Sequence, residues 1–515
     1  MRQELNMVLD PSEAYNEEIL KKIIAQKFAV DESEIMIRII RRSIDARHPN
    51  IKVNLSLEVF IDETPASRIG EFRYQDVFSK KEVIIVGSGP AGLFAALKLI
   101  ETGFRPIILE RGKDVANRKK DVAGISRDHL VNPDSNYCFG EGGAGIFSDG
   151  KLYTRSKKRG NTRRILEIFF HHGADESILF ESHPHIGTDK LPDVIKNIRN
   201  TILNCGGKIF FNSLVTDLII ENEQVKGVVT REGEKYFSDA VILATGHSAR
   251  DIYFMLKRKK IFLQAKDFAM GVRVEHEQNL INSIQYHGAK YNKMMPAASY
   301  TLAEQIFGRG VFSFCMCPGG FIVPSATSQD EIVVNGMSTS KRNSPYANSG
   351  IVVEVKQQDV YEYSDYEELA GLMFQQNLER NAFNQSSKDQ KAPAQRLSDF
   401  LNGKISASLP KSSYFPGTTS SPIHSWLPGF MVKSLQFGFI AFDKKMKGFI
   451  NNDVIILGVE SRTSSPVRIP RNPETLQHIQ IKGLYPCGEG SGYAGGIVSS
   501  AIDGENCAEK IRLVI

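Results

Sequence analysis

Cysteine is scarce, with six in 515 residues at no framework spacing, and tryptophan occurs once. So thin a supply excludes a disulfide-stapled scaffold and fits reduced thiols, which makes the cytoplasm the expected compartment. Residues 1–10 have no apolar signal core, so no secretion signal is expected. Charge of one sign is also in short supply. A net charge of +5 argues against a dedicated nucleic-acid binder. The basic runs Lys157-Lys158-Arg159, Arg163-Arg164 and Lys257-Arg258-Lys259-Lys260 are short and read as solvated surface. Residues 83–100 are apolar enough to suggest a membrane span, but three glycines and a proline interrupt them, so no transmembrane segment is expected. Tandem repeats and coiled-coil heptads are lacking too.

What the chain does have is a glycine pattern in the right setting. The β-branched run Val83-Ile84-Ile85-Val86 leads into Gly87-Ser88-Gly89-Pro90-Ala91-Gly92 and then an Ala/Leu-rich helix. In such a G-x-G-x-x-G turn the first glycine permits the tight bend and the second lets backbone approach a pyrophosphate. The third lets the helix pack closely on the strand, and the helix N-terminus offers free N–H groups to the phosphates. A second strand, Pro106-Ile107-Ile108-Leu109, ends in Glu110, close to the spacing of about 20 residues expected of a ribose-binding carboxylate. Gly103 sits where a helix C-terminal glycine belongs.

A chain of this length predicts two to four domains. Residues 1–78 read as a small α+β unit of β-α-β-β or ferredoxin-like type. Asp10-Pro11-Ser12-Glu13 is a helix start, with Tyr15, Ile19, Ile23 and Ile24 at helical spacing. Residues 35–40 form a strand, and residues 51–61 alternate apolar and polar as a half-buried strand should. Residues 62–80 are a polar connector. Farther on, residues 206–212 give a strand, 212–230 a hairpin or meander, and Ala240-Val241-Ile242-Leu243 a buried strand ending in Ala244-Thr245-Gly246. The segment 383–391 is polar surface. Near the end, Leu484-Tyr485-Pro486 runs into Gly488-Glu489-Gly490 and a helix of small residues over 497–511.

This second glycine turn distinguishes FAD from NAD. A flavin lies far from its adenine, and a chain returning its last strand and helix to the nucleotide domain can reach both ends. A helix N-terminus at the pyrimidine edge would stabilise negative charge on the reduced ring. Glu489 is placed to accept a hydrogen bond from a ribitol hydroxyl.

With GSGPAG at 87–92, ATG at 244–246 and GEG at 488–490, the chain resembles FAD-dependent oxidoreductases of the glutathione-reductase-like flavoprotein superfamily. More narrowly it is similar to the bacterial NAD(FAD)-utilising, or FAD-dependent, dehydrogenases. The blocks are FGEGGAGIFSDGKL at 139–152, ATGHSARD at 244–251, GVRVEH at 271–276, FCMCPGGFIVP at 314–324, ESRTSSPVRI at 460–469 and GLYPCGEGSGYAGGI at 483–497. The resemblance implies an α/β protein with an FAD/NAD(P)-binding, Rossmann-like domain of glutathione-reductase type, an α+β substrate domain and the N-terminal module. The expected division is 1–78 for the module, 79–250 and 471–515 for the two parts of the FAD domain, and 251–470 for the substrate or cap domain. It implies FAD contacts from Gly87, Ser88, Gly89, Pro90, Ala91 and Gly92, from Glu110 on the ribose, and from Arg111 beside the adenine. Gly142 and Gly143 would pass close to the pyrophosphate and flavin, and Val215 would meet adenine through its backbone. Ala244, Thr245, Gly246, Gly488, Glu489, Gly496 and Ile497 complete the set. Outside the terminal glycine turn no second G-x-G-x-x-G follows a strand, so a separate nicotinamide domain is not expected, and any NAD(P)H would dock directly over the flavin.

Candidate substrate residues are Arg273, Arg462, Cys315 and Cys317. Guanidinium groups near hydroxyls suit anions, with surface ion pairing as the plain alternative. Cys315 and Cys317 share a strand face by the period of two, in a C-x-C spacing that matches no zinc or iron–sulfur set; packing in the strand is the plain reading, and no metal site is expected. His247 is either a cofactor neighbour or a polar loop residue. His171, His172, His183 and His185 read as surface or cap residues. The resulting expectation is an FAD-dependent oxidoreductase passing hydride between flavin and a small-molecule substrate, with the catalytic acid or base unassigned. The rival is a redox-sensing or scaffold protein in which FAD is structural and the N-terminal module binds a partner.

Overall fold

The computed structural model describes residues 1–153, 160–288 and 295–514. Lys157-Lys158-Arg159 therefore lies outside the described residues. Short, mostly apolar runs make a five-stranded sheet, in the order Leu484–Pro486, Val241–Leu243, Glu82–Val86, Arg105–Leu109 and Lys208–Phe210, with every pairing parallel. Parallel sheets need cover on both faces. Alternate side chains of the central strand serve the two sides. Val83 and Ile85 join a core with the helices Pro90–Glu101, Thr162–His171, Leu191–Asn204 and Ile497–Arg512. Ile84 and Val86 join a second core with the meander of strands Val215–Glu221, Gln224–Thr230 and Lys235–Phe237 and the helix Arg250–Arg258. This is a mixed α/β, Rossmann-like fold. The terminal helix lies so close to the first that a Cβ on Gly504 would stand 2.0 Å from the carbonyl oxygen of Ala91. No helix among the described residues is long and apolar enough to cross a membrane.

A seven-stranded mixed sheet forms the second body. Its order is Ala303–Ile306, Arg309–Cys317, Tyr346–Val355, Phe268–Glu277, Ile455–Glu460, Ala392–Arg396 and Thr418–Ser420, with only the last pairing parallel. Phe268–Glu277 is buried at nine of its ten positions, so both of its faces are covered.

At the N-terminus, Arg2–Leu9 and Ile35–Asp45 flank Lys52–Ile61, all antiparallel. This is a split β-α-β arrangement, three strands rather than the four of a complete ferredoxin-like module. Val53, Leu55, Leu57 and Val59 face the helix residues Leu20, Ile24 and Ala25, as the alternation predicts. The helix start at Asp10 yields only Pro11–Ala14. A second helix, Glu17–Phe28, begins afresh because the Asn16 side chain accepts the Ile19 N–H at 3.1 Å and caps it. Arg42 of the module pairs with Glu181 of the main body, and its N–H donates to the Phe180 carbonyl at 2.9 Å.

Candidate active site

The three sheet strands that end in glycine turns end on the same edge, because they are parallel. Their turns border one cavity of about 710 Å³. The first turn is held from behind. A Cβ on Gly92 would lie 2.0 Å from the Gly87 carbonyl oxygen, and Gly87 itself has φ +103° with Ala244 pressed against it. Glu110 organises the turn: Oε2 accepts the Ser88 N–H and hydroxyl, both at 2.8 Å, and Oε1 accepts the N–H groups of Gly112 at 2.9 Å and Gly140 at 3.0 Å. Gly142 donates to the Ser88 carbonyl at 3.0 Å.

The loop 136–143 is shaped by a residue that sequence reasoning missed. Arg118 is fully buried, and its guanidinium donates to five backbone carbonyls, those of Asn136, Tyr137, Gly140, Glu141 and Gly143, at 2.7–3.1 Å. Burial brings this guanidinium down to about 10, against the pull of Glu110 and Glu141. Nothing in a stretch such as Asn117-Arg118-Lys119-Lys120 distinguishes this arginine from its exposed neighbours.

Of the residues expected at the nucleotide, Gly87, Gly89, Pro90, Ala91, Glu110, Arg111, Gly143, Val215, Ala244, Thr245, Gly246, Gly488, Glu489, Gly496 and Ile497 line this cavity. Ser88, Gly92 and Gly142 do not; they lie behind the lining, where the contacts just described hold the loops. Arg111 stacks on Phe139 with its guanidinium carbon 4.1 Å from the ring centre and pairs with Asp134 and Asp251. His247 borders the cavity, with Nδ1 3.2 Å from Glu489 Oε1 and a buried Nε2 that has no hydrogen-bond partner among the described residues.

Two of the four candidate substrate residues lie elsewhere. Arg273 is fully buried, with Glu460 at 2.7 Å, Asn348 at 2.8 Å and the Cys315 carbonyl at 2.7 Å, and does not reach the cavity. Cys317 is likewise buried and outside the lining. The shared face expected of the two cysteines is broken by a bulge between Phe314 and Cys317, and only Cys315 lines the cavity. Arg462 lines it with one edge. Its other nitrogens belong to a buried cluster in which Glu379 and Glu331 face Arg462 and Arg250 at 2.7–3.2 Å. Burial alone would raise the Glu379 carboxyl, but Arg250 and Arg462 hold it below the ordinary range.

Lys151, Asp149, Arg342 and His183 also line the cavity, although the sequence suggested only a surface or cap role for His183. Arg342 Nε donates to Asp149 Oδ1 at 3.0 Å. His172 is the C-cap of helix Thr162–His171, in keeping with a cap role.

The donors suit a dinucleotide carrying a flavin. Beside the unpartnered His247 nitrogen, a Cβ on Gly246, Gly495 or Gly496 would meet nothing within 4 Å, so backbone borders open space there. The sixteen-residue helix Ile497–Arg512 starts at this wall.

Comparison with known proteins agrees. Residues 81–267 match the family described as pyridine nucleotide-disulphide oxidoreductase, and residues 267–463 match FAD-dependent protein, C-terminal domain-like. Residues 1–60 match a domain of unknown function. An uncharacterized protein of Clostridium beijerinckii is 41% identical over 514 residues, spanning 96% of this chain and 95% of its own. The chain belongs to the FAD-dependent pyridine nucleotide-disulphide oxidoreductase family. It is an FAD-dependent oxidoreductase. The tRNA uridine 5-carboxymethylaminomethyl modification enzyme MnmG of Alkaliphilus metalliredigens is 30% identical over 193 residues, which cover 37% of this chain and 26% of that enzyme. Among solved structures, the flavin-dependent brominase Bmp2 aligns at 14% identity over 84% of this chain and 78% of its own, with a TM-score of 0.36. That is a distant likeness.

Proposed function

We propose that this cavity takes FAD and that the flavin exchanges hydride with a small-molecule substrate admitted beside the seven-stranded sheet. Continuity of the lining carries this reading: residues of the first glycine turn and of the last one, far apart in sequence, border one space. The glycines at 87, 89 and 92, with Ser88, Pro90 and Ala91, make the pyrophosphate turn, and Glu110 fixes that turn while facing the adenosine ribose. Arg111 and Val215 form the adenine end. Gly143 and Ala244-Thr245-Gly246 border the middle of the nucleotide, and Gly142 holds the loop from behind through the Ser88 carbonyl. Gly488, Glu489, Gly496 and Ile497 receive the flavin end.

Bound flavin supplies two-electron, hydride-type redox chemistry. The chain's own groups bind and tune. The N-terminus of helix Ile497–Arg512 favours negative charge beside it, Glu489 accepts hydroxyl hydrogen bonds, and the free His247 nitrogen offers a further polar contact. The helix-covered sheets exclude water from the inner wall. Arg462 and Cys315 are the candidate substrate contacts that remain at the cavity.

The finer assignments follow the same reading. The FAD domain is of glutathione-reductase type and is built from 79–250 and 471–515, the substrate domain is 251–470, and 1–78 is an appended module. The protein works in the cytoplasm, and NAD(P)H reaches the flavin directly, without a nucleotide domain of its own. Purified protein should be yellow, with flavin absorbance, and anaerobic NADH or NADPH should bleach it. Bleaching by dithionite but by neither nicotinamide would remove NAD(P)H from the scheme, and a colourless protein that takes up no added FAD would overturn the site.

A further inference from the structure

Beyond the glycine turns, the cavity has a corner lined by Asp149, Lys151, His183 and Arg342. Gly145, just before the first two, lies against the start of the terminal helix: a Cβ on it would stand 3.0 Å from Ile497. The corner is held from both sides. The Leu152 N–H donates to the Pro184 carbonyl at 2.8 Å, and the Ile186 N–H to the Gly150 carbonyl at 3.1 Å. Arg342 follows strand Val334–Ser338 and has φ +48°, with its carbonyl oxygen 1.7 Å from where a Cβ on Gly319 would be. A residue with a Cβ seldom adopts this conformation, and where one does the surrounding structure must hold it there.

The donors of this corner outnumber its acceptors. Arg342 Nε donates to Asp149 Oδ1 at 3.0 Å and Nη2 pairs with Oδ2, which leaves Nη1 with no hydrogen bond among the described residues. Lys151 donates to the Met316 carbonyl, and Asp149 stands 3.9 Å from it, beyond hydrogen-bond reach. An ammonium carries three N–H groups, so two of them have no acceptor among the described residues. Charge is unbalanced in the same sense. Burial works against the Lys151 charge, but Cys315, Cys317 and Asp149 outweigh it and leave the ammonium above the ordinary lysine range. Partial burial lowers the His183 imidazole, with Arg342 and Lys151 adding to the effect and Glu181 opposing it, so His183 is mainly neutral at pH 7. Glu181 itself pairs with Arg42. The other acids of the lining are committed elsewhere, Glu110 to the first turn, Asp251 to Arg111 and Glu489 to His247. Two cations therefore face one acid. A charge drawn out of water is stable only when it is paired, and a surplus of one calls for a monoanion. A dianionic phosphate would exceed that surplus and crowd Asp149.

Apolar groups line the same end of the cavity: Phe312, Phe314 and Met316 of strand Arg309–Cys317, together with Tyr300. Apolar walls with a few placed charges orient a small molecule by its polar end. We propose that the substrate is a small organic acid, its carboxylate held by Lys151 and Arg342 Nη1 and its apolar body laid along Phe312, Phe314 and Tyr300 beside the flavin. This inference rests on FAD occupying the cavity, and the test separates the two.

Benzoate is the probe. Calorimetric titration of the holoprotein reads its binding, and flavin absorbance in a parallel titration reads its nearness to the ring. The expected result is a saturable heat with a shift of the flavin bands, and binding of benzamide, the uncharged analogue, at least about 10-fold weaker. Lys151→Met and Lys151→Gln should each weaken benzoate about 10- to 100-fold, whereas Lys151→Arg, which keeps the charge, should retain most of the affinity. Flavin content and thermal melts show that each variant is folded. No heat from benzoate, equal binding of benzoate and benzamide, or benzoate affinity unmoved in both neutral variants overturns the carboxylate site. Phenyl phosphate binding about 10-fold tighter than benzoate would overturn the choice of acid group. Heat without a flavin band shift would remove the acid from the flavin. Protein that takes up no FAD overturns the flavin reading by itself; the calorimetric comparison of wild type with the Lys151 variants then still decides whether the corner binds a carboxylate.

Discussion

Glu489 Oε1 stands 3.2 Å from His247 Nδ1. One residue follows the strand Leu484–Pro486 and the other follows Val241–Leu243, which are parallel neighbours in the sheet. Strands that run the same way deliver their following loops to the same edge, so two distant glycine turns meet side chain to side chain. The contact leaves His247 Nε2 without a partner among the described residues and directs a carboxylate along the cavity wall.

Glu489→Ala should therefore fold normally and bind FAD more weakly. A hydrogen bond to a charged acceptor contributes about 1.5–3 kcal/mol, so affinity should fall about 10- to 100-fold. Titration of apoprotein with FAD measures it, and unchanged affinity would dissociate Glu489 from the nucleotide.

Glu110→Gln tests the opposite balance, since this carboxylate accepts from four donors and is buried. An amide would present two hydrogens to N–H groups that have nothing to donate to. The expected loss is about 3 kcal/mol of folding stability, together with loss of the pyrophosphate turn. Excess FAD should recover part of the melting temperature by mass action. A thermal melt with and without FAD gives both numbers.

Much of this site was legible because its devices are local. A β-branched run before G-x-G-x-x-G, an acid at the next strand end and a late glycine turn each carry their own physics, and all lie where the parallel sheet requires. Arg118 and Lys151 were not legible, since their importance comes from carbonyls brought to them by distant loops. The cysteine pair misled for a related reason. Period-two reasoning holds for an unbroken strand, and the bulge before Cys317 depends on the pairing with Tyr346–Val355. The helix start at Asp10 was read correctly, but its extent was not, because Asn16 begins a new helix within one turn.

Two glycines allow packing and cofactor space to be separated. A Cβ on Gly504 would collide with the Ala91 carbonyl at 2.0 Å, whereas one on Gly495 meets nothing within 4 Å. Gly504→Ala should lower stability by about 1–3 kcal/mol through overpacking of the two helices. Gly495→Ala should change stability by no more than about 0.5 kcal/mol, as for sites away from packed features, yet weaken FAD because the methyl enters space the nucleotide would use. Urea melts of the apoproteins and FAD titrations distinguish these outcomes; equal effects on both measurements would contradict the placement of the nucleotide.

The last prediction concerns pH. Burial lowers His172 from 6.5 to about 4, with neighbouring His171 adding to the effect and the Ile168 carbonyl, 2.7 Å from Nδ1, opposing it. In the unfolded chain the imidazole takes up its proton near 6.5, whereas in the folded protein it stays neutral until about pH 4. The unfolded state therefore binds more protons between these values, and stability must fall as pH drops through that window. It is fully present above the unfolded value and levels off below the folded one. The loss through this single group is about 3 kcal/mol. His172→Gln, which can still bond the Ile168 carbonyl or Thr201, should lack this slope. Urea midpoints of the two proteins between pH 7.5 and pH 4 should therefore converge as the pH falls, and a constant gap would mean that His172 is charged, or solvated, in the folded protein.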